Sequence, residues 1–178
     1  MKGFSISLWV VIAALLLFGC EKEVSESEYL PSENHNYTAV DFTDLEKRQK
    51  VYVPIYSDIY VFSGSKRFPL TATLSIRNTS ITDTMYVGAV DYYDSEGNMT
   101  KEYLDNPIYL SPLVSVEFVV RSNENIGGAG ANFIVDWGAK NRTKNPVIQA
   151  VMIGESNQQG ISFVTNGTVV EDSISEKN

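Results

Sequence analysis

Cysteine and histidine are nearly missing from this 178-residue chain: Cys20 and His35 each stand alone. One thiol cannot close an intrachain disulfide, and a domain lacking both residue types builds neither a thiolate zinc site nor a Cys-His catalytic pair. His35 lies in a polar stretch ahead of the patterned part of the chain, so a Ser-His-Asp arrangement is excluded as well. Basic residues are scarce too. With 14 Lys and Arg against 22 Asp and Glu, the formal charge is −8; such a balance repels nucleic acid and anionic lipid headgroups, and no basic patch offsets it. No apolar run reaches the roughly 20 residues that span a bilayer.

What is present begins with an address. Lys2 precedes an uncharged run from Phe4 to Phe18, and Gly19 stands before Cys20, the layout of a secretory signal. Leu17-Phe18-Gly19-Cys20 resembles the lipobox of bacterial lipoproteins, in which the cysteine becomes the first mature residue and carries the lipid; Phe18 is bulkier than the residue usual there. The resemblance implies a signal peptide over 1–19, lipidation at Cys20, and a bacterial cell-envelope protein held to a membrane by acyl chains rather than by charge. The outer membrane is the favoured location, with its periplasmic or surface face open. Without Lys2 the mature chain carries 13 basic and 22 acidic residues, a charge of −9.

From Cys20 to Lys50 the composition is that of an acidic, flexible tether. Glu21, Lys22, Glu23, Glu26 and Glu28 alternate with serines and no apolar period is visible. Asp41 or Thr43 can cap one or two helical turns before Lys50. From Val51 the pattern is that of strands. Thr71 to Arg77 and Val114 to Arg121 alternate apolar with polar residues, so one face of each is buried. Further strands read at Val51 to Phe62, Met85 to Tyr93, Asn132 to Trp137, Pro146 to Ile153 and Ile161 to Val170, separated by Gly-, Asn- and Ser-rich turns. About seven short strands without a long helix predict an all-β, immunoglobulin-like antiparallel sandwich over residues 51–171, with a small barrel as the alternative and residues 172–178 as a tail. About 130 residues bury enough surface for one independent core. Pro54 lacks an N–H for the ladder, which points to an edge strand.

Several blocks resemble the bacterial family catalogued as domain of unknown function 3124: Tyr56 to Tyr60 (YSDIY), Leu70 to Thr79 (LTATLSIRNT), Asp91 to Gly97 (DYYDSEG), Glu117 to Val120 (EFVV), Gly127 to Trp137 (GGAGANFIVDW), Ala150 to Gly154 (AVMIG) and Gly160 to Phe163 (GISF). Ala129 stands where that family commonly has serine, and Asn166 where an arginine often precedes the glycine. The resemblance implies an envelope domain and brings no catalytic residues with it.

Two features are candidates for binding. Gly127, Gly128 and Gly130 open the backbone ahead of Asn132 and can offer N–H groups to an anion, although the loop leads into a strand and lacks the GK[ST] ending of a phosphate loop. Tyr52, Tyr56 and Tyr60 recur every four residues, sharing one face if the strand is unbroken, and an exposed row of rings suits stacking on sugars. Asp91, Asp94, Glu96 and Asn98 crowd one hairpin without calcium-loop spacing. Arg77 and Glu117 sit on polar strand faces, suited to a cross-strand pair, while Ile76, Phe118 and Trp137 fall on core faces. Neither a cofactor nor a metal is called for. The expectation is a non-catalytic envelope module binding a protein or glycan; the alternative is a carboxylate-dependent glycan hydrolase, for which no spacing singles out two carboxylates.

Overall fold

A computed structural model describes residues 35–124, 127–156 and 159–174; Cys20, the signal segment and most of the tether lie outside the described residues. The strands in chain order are β1 (Lys47–Pro54), β2 (Asp58–Val61), β3 (Lys66–Pro69), β4 (Thr71–Arg77), β5 (Met85–Tyr93), β6 (Met99–Glu102), β7 (Ile108–Leu110), β8 (Ser115–Val120), β9 (Asn132–Ala139), β10 (Val147–Ser156), β11 (Gln159–Asn166) and β12 (Thr168–Ile174). A six-stranded sheet runs β12-β1-β9-β5-β6, with β7 also paired to β5, and a four-stranded sheet runs β11-β10-β4-β8. β2 and β3 form a separate hairpin. Among the described residues all pairings are antiparallel and no sheet closes into a barrel, so the fold is an all-β sandwich.

The period of two explains which residues meet between the sheets. Val51, Val53, Val87, Val90, Phe133, Val135 and Trp137 from the larger sheet face Leu74, Ile76, Phe118, Ala150 and Met152 from the smaller one, all buried. Ile76, Phe118 and Trp137 therefore occupy the expected core positions. Burying aromatic rings of this size contributes on the order of 2–3 kcal/mol each. Trp137 and Gln49 stand directly opposite each other on β9 and β1, and the indole Nε1 and the amide Oε1 are both buried without a hydrogen-bond partner among the described residues.

Four expectations need correction. The segment from Val51 to Phe62 is not one strand: β1 ends at Pro54 in the larger sheet, and the chain turns at Ile55 and Ser57 to enter the β2–β3 hairpin. Pro54 does not mark an edge. β1 lies between β12 and β9, but β12 pairs only as far as Tyr52, so the proline comes after the ladder it would have interrupted. The run from Ile161 onward likewise divides at Gly167, β11 belonging to the smaller sheet and β12, which reaches Ile174, to the larger.

The fourth correction concerns the tether, whose second half, residues 35–50, belongs to the domain. Tyr37 bridges to Ile108 on β7, and the His35 ring lies 5.4 Å from that of Phe118. Phe42 and Leu45 then cross the outer face of the larger sheet, where they occupy the space that a Cβ at Gly88 or Gly138 would need. The expected helical turn is a single 3-10 turn, Phe42–Asp44, capped by Asp41. A composition that reads as solvated hides two apolar side chains seated in glycine notches.

At the end of the sandwich near Lys47, Asp83 accepts hydrogen bonds from Ser80, Thr82, Asn141 and Thr143, tying the β4–β5 and β9–β10 connections together. These bonds hold its carboxyl below the ordinary value.

Candidate functional site

At the opposite end, three connections converge around a cleft of about 650 Å³, within the size range of small-ligand sites. One wall is the outward face of the β2–β3 hairpin. Ile59 pairs with Phe68 and both pack on the core, so the alternate positions Asp58, Tyr60, Arg67 and Pro69 face the cleft. Arg67 is clamped by Asp58 through two hydrogen bonds, Nε to Oδ1 at 2.7 Å and Nη2 to Oδ2 at 2.6 Å. This bidentate pair raises the guanidinium further above its ordinary pKa. The Tyr60 ring lies 5.5 Å from the guanidinium and remains 61% exposed.

The second wall is the β5–β6 turn. Asp94 accepts from the Glu96 and Asn98 amides and from the Asn98 side chain, which lowers its pKa and makes it the organiser of the turn. Glu96 is exposed at the rim.

The floor is the glycine loop. Gly127 and Gly128 have φ of +122° and +85°, a region that L side chains rarely adopt. The loop is stapled from both sides. Ser95 donates its hydroxyl to the Gly127 carbonyl at 2.6 Å and accepts the Gly130 N–H at 3.0 Å; Ser57 accepts the Gly128 N–H at 2.7 Å. Two of the amides expected to face an anion are thus engaged inside the protein. A Cβ at Gly127 would collide with the Tyr92 phenol, and one at Gly128 would lie 2.7 Å from Ser95 Oγ. Tyr92, buried beneath, has its pKa pushed up to about 12 by burial.

Of the binding candidates read from sequence, the structure brings Gly127, Gly128 and Tyr60 to the cleft and leaves Gly130, Asn132, Tyr52 and Tyr56 outside its lining; Asp94 and Glu96 of the acidic hairpin line it too. Gly130 serves the staple, and Asn132 begins β9 opposite Pro54 and Tyr93. Tyr52 lies within β1 on the outer face, and Tyr56 packs edge-on against Phe163 at 5.5 Å. The tyrosine row does not exist, because the strand that would carry it is broken after Pro54. Arg77 and Glu117 are not direct partners either: Glu117 stands opposite Ser75, and Arg77 donates to the Ser75 hydroxyl at 3.0 Å. Asp58, Arg67 and Ser95 were not anticipated. The Ser63-Gly64 turn signal between Tyr60 and Arg67 is the trace from which that hairpin was readable. Among the described residues, no group of three or more His, Cys, Asp or Glu is placed to hold a metal ion, and no helix is long and apolar enough to cross a membrane.

The family model described as "Protein of unknown function (DUF3124)" matches residues 48–170. The chain belongs to this family. Both departures from the pattern expected of it have places in the structure. Ala129 lines the cleft, and Asn166 accepts a hydrogen bond from Gln149 at 2.7 Å. No curated protein matches the chain. A solved structure titled "Crystal Structure of Thermotoga maritima 1070" aligns over 70% of this chain and 97% of its own, at 13% identity and a TM-score of 0.43, a likeness that bears no functional argument.

Proposed function

We propose that this DUF3124 protein is a lipid-anchored component of a bacterial envelope, attached through Cys20, whose sandwich is a non-catalytic module that binds another envelope component, protein or glycan, in the cleft at the Gly127–Ala129 end. The observation that carries the reading is the joining of an exposed aromatic ring, a clamped guanidinium and a rim carboxylate around one cavity of ligand size. Such sites combine a flat apolar surface with a few fixed polar groups that set orientation. The engagement of the carboxylates favours binding over hydrolysis. Asp58 is committed to Arg67 and Asp94 to its own turn, which leaves Glu96 without the second free carboxylate that glycoside cleavage uses.

The test is capture of partners from native envelopes by the anchored protein and by a Tyr60→Ala/Glu96→Gln variant. Both residues are exposed, so the variant keeps its melting temperature and loses the captured component. Undiminished capture excludes the cleft. The anchor is checked separately: Cys20→Ser abolishes labelling by palmitate, and retained labelling rejects it.

A further inference from the structure

Sheet edges carry unpaired backbone groups, and proteins that stay monomeric guard them with charge, proline, brevity or a covering segment. Three edges here are guarded. β6 has only four residues, one of them Lys101; β7 is covered by the Tyr37 bridge; β12 carries Glu171 and Asp172. The edge at β8 presents the exposed Glu117. β11 differs. From Gly160 to Asn166 it has no charged residue and no proline, its outer side is unpaired among the described residues, and Ile161 and Val164 are 41% and 53% exposed.

The centre of the sheet face beside this edge is uncharged as well, with Glu155, opposite Gly160, as the carboxylate at its end on β10. Val164 stands opposite Val151, which stands opposite Thr73; Ser162 stands opposite Ile153, itself exposed, which stands opposite Thr71. In a chain of formal charge −8, this central stretch, Ile161 to Val164 with Val151 and Ile153, is where a second copy can approach with no carboxylate directly opposite another.

We infer that β11 is a self-association edge, at which two copies pair their β11 strands antiparallel about a two-fold axis through Phe163. In that register Ser162 faces Val164 of the second copy and Ile161 faces Thr165, so the two four-stranded sheets become one continuous sheet and the Val164, Val151 and Ile153 surface extends across the axis. The register sets no charge against a like charge, as an isologous contact requires. A partner strand bearing Lys or Arg finds no carboxylate on Gly160 to Asn166 to pair with, and the acidic remainder of the surface repels a second copy elsewhere. An edge of this length is at the small end of specific interfaces, so the pairing depends on concentration and is strengthened by salt that screens the net charge.

The experiment uses full-length protein in membranes, co-expressing a Ser162→Cys copy and a Val164→Cys copy with different tags. Mild oxidation should join unlike copies several-fold more than either variant joins to itself, with the wild-type chain, which has only Cys20, as the background. In detergent solution the full-length chain should sediment as a dimer whose population rises with salt, and Val164→Lys should be monomeric with an unchanged melting temperature. Equal cross-linking in all combinations, a wild-type chain that stays monomeric at every concentration, or cross-linking only to a different protein would each overturn the inference.

Discussion

Gly128→Ala tests whether the glycine loop and the β5–β6 turn act as one unit. Two costs follow from the geometry. Holding a non-glycine residue at φ +85° costs about 1–2 kcal/mol. The new Cβ, 2.7 Å from Ser95 Oγ, displaces the hydroxyl that bonds both Gly127 and Gly130, and two partly exposed hydrogen bonds are worth about 0.5–1 kcal/mol each. The sum is about 2–4 kcal/mol. Ser95→Ala removes the same two bonds without strain and should cost about 1–2 kcal/mol. In that background Gly128→Ala meets no hydroxyl and retains the backbone cost, together with whatever shift Arg67 Nη2, 3.1 Å from the new Cβ, must make in both backgrounds. Urea denaturation of the single and double variants closes the cycle, with a coupling of about 1–2 kcal/mol expected. Additivity within about 0.5 kcal/mol would refute the staple, because it would mean that the hydroxyl does not hold the loop.

A soluble fragment of residues 35–174 should unfold in one cooperative transition, whereas a fragment beginning at Val51, lacking Leu45, Gln49 and half of β1, should melt far lower; equal melting would return residues 35–50 to the tether. Gln49→Leu replaces a buried amide oxygen that has no partner among the described residues and should stabilise by about 1 kcal/mol in thermal or urea unfolding, with destabilisation pointing to a bound water there. Asp83 has its pKa lowered by side-chain hydrogen bonds, so its contribution is present above the unfolded carboxylate value and is lost as pH falls through the folded one; Asp83→Asn should flatten the acid limb of the stability profile, and an unchanged limb would contradict this. Tyr92, with its pKa pushed up from 10.0 to about 12, adds stability that is full below pH 10 and is lost as pH rises toward 12; Tyr92→Phe should weaken that alkaline loss, as read by circular dichroism against pH.

The alternation of Thr71 to Arg77 and of Val114 to Arg121 determined by itself that strands form there and which face they bury, since strand side chains point to opposite sides in turn. It placed Ile76 and Phe118 in the core, and the same period over Asn132 to Trp137 placed Trp137 there. The loop glycines were equally legible, because positive φ is a local property that glycine marks. Pairing decided the rest. No local signal tells that β1 takes β12 on one side and β9 on the other, or that the chain after Pro54 leaves the sheet, and so the tyrosine spacing was real while the tyrosine row was not. Phe42 and Leu45 carry no period, and only the notches at Gly88 and Gly138, far along the chain, make them part of the domain. The cleft has the same origin: Tyr60 and Arg67 come from one hairpin, Glu96 from a second and Gly128 from a third connection, groups that share a cavity because two sheets pack and bring their ends together.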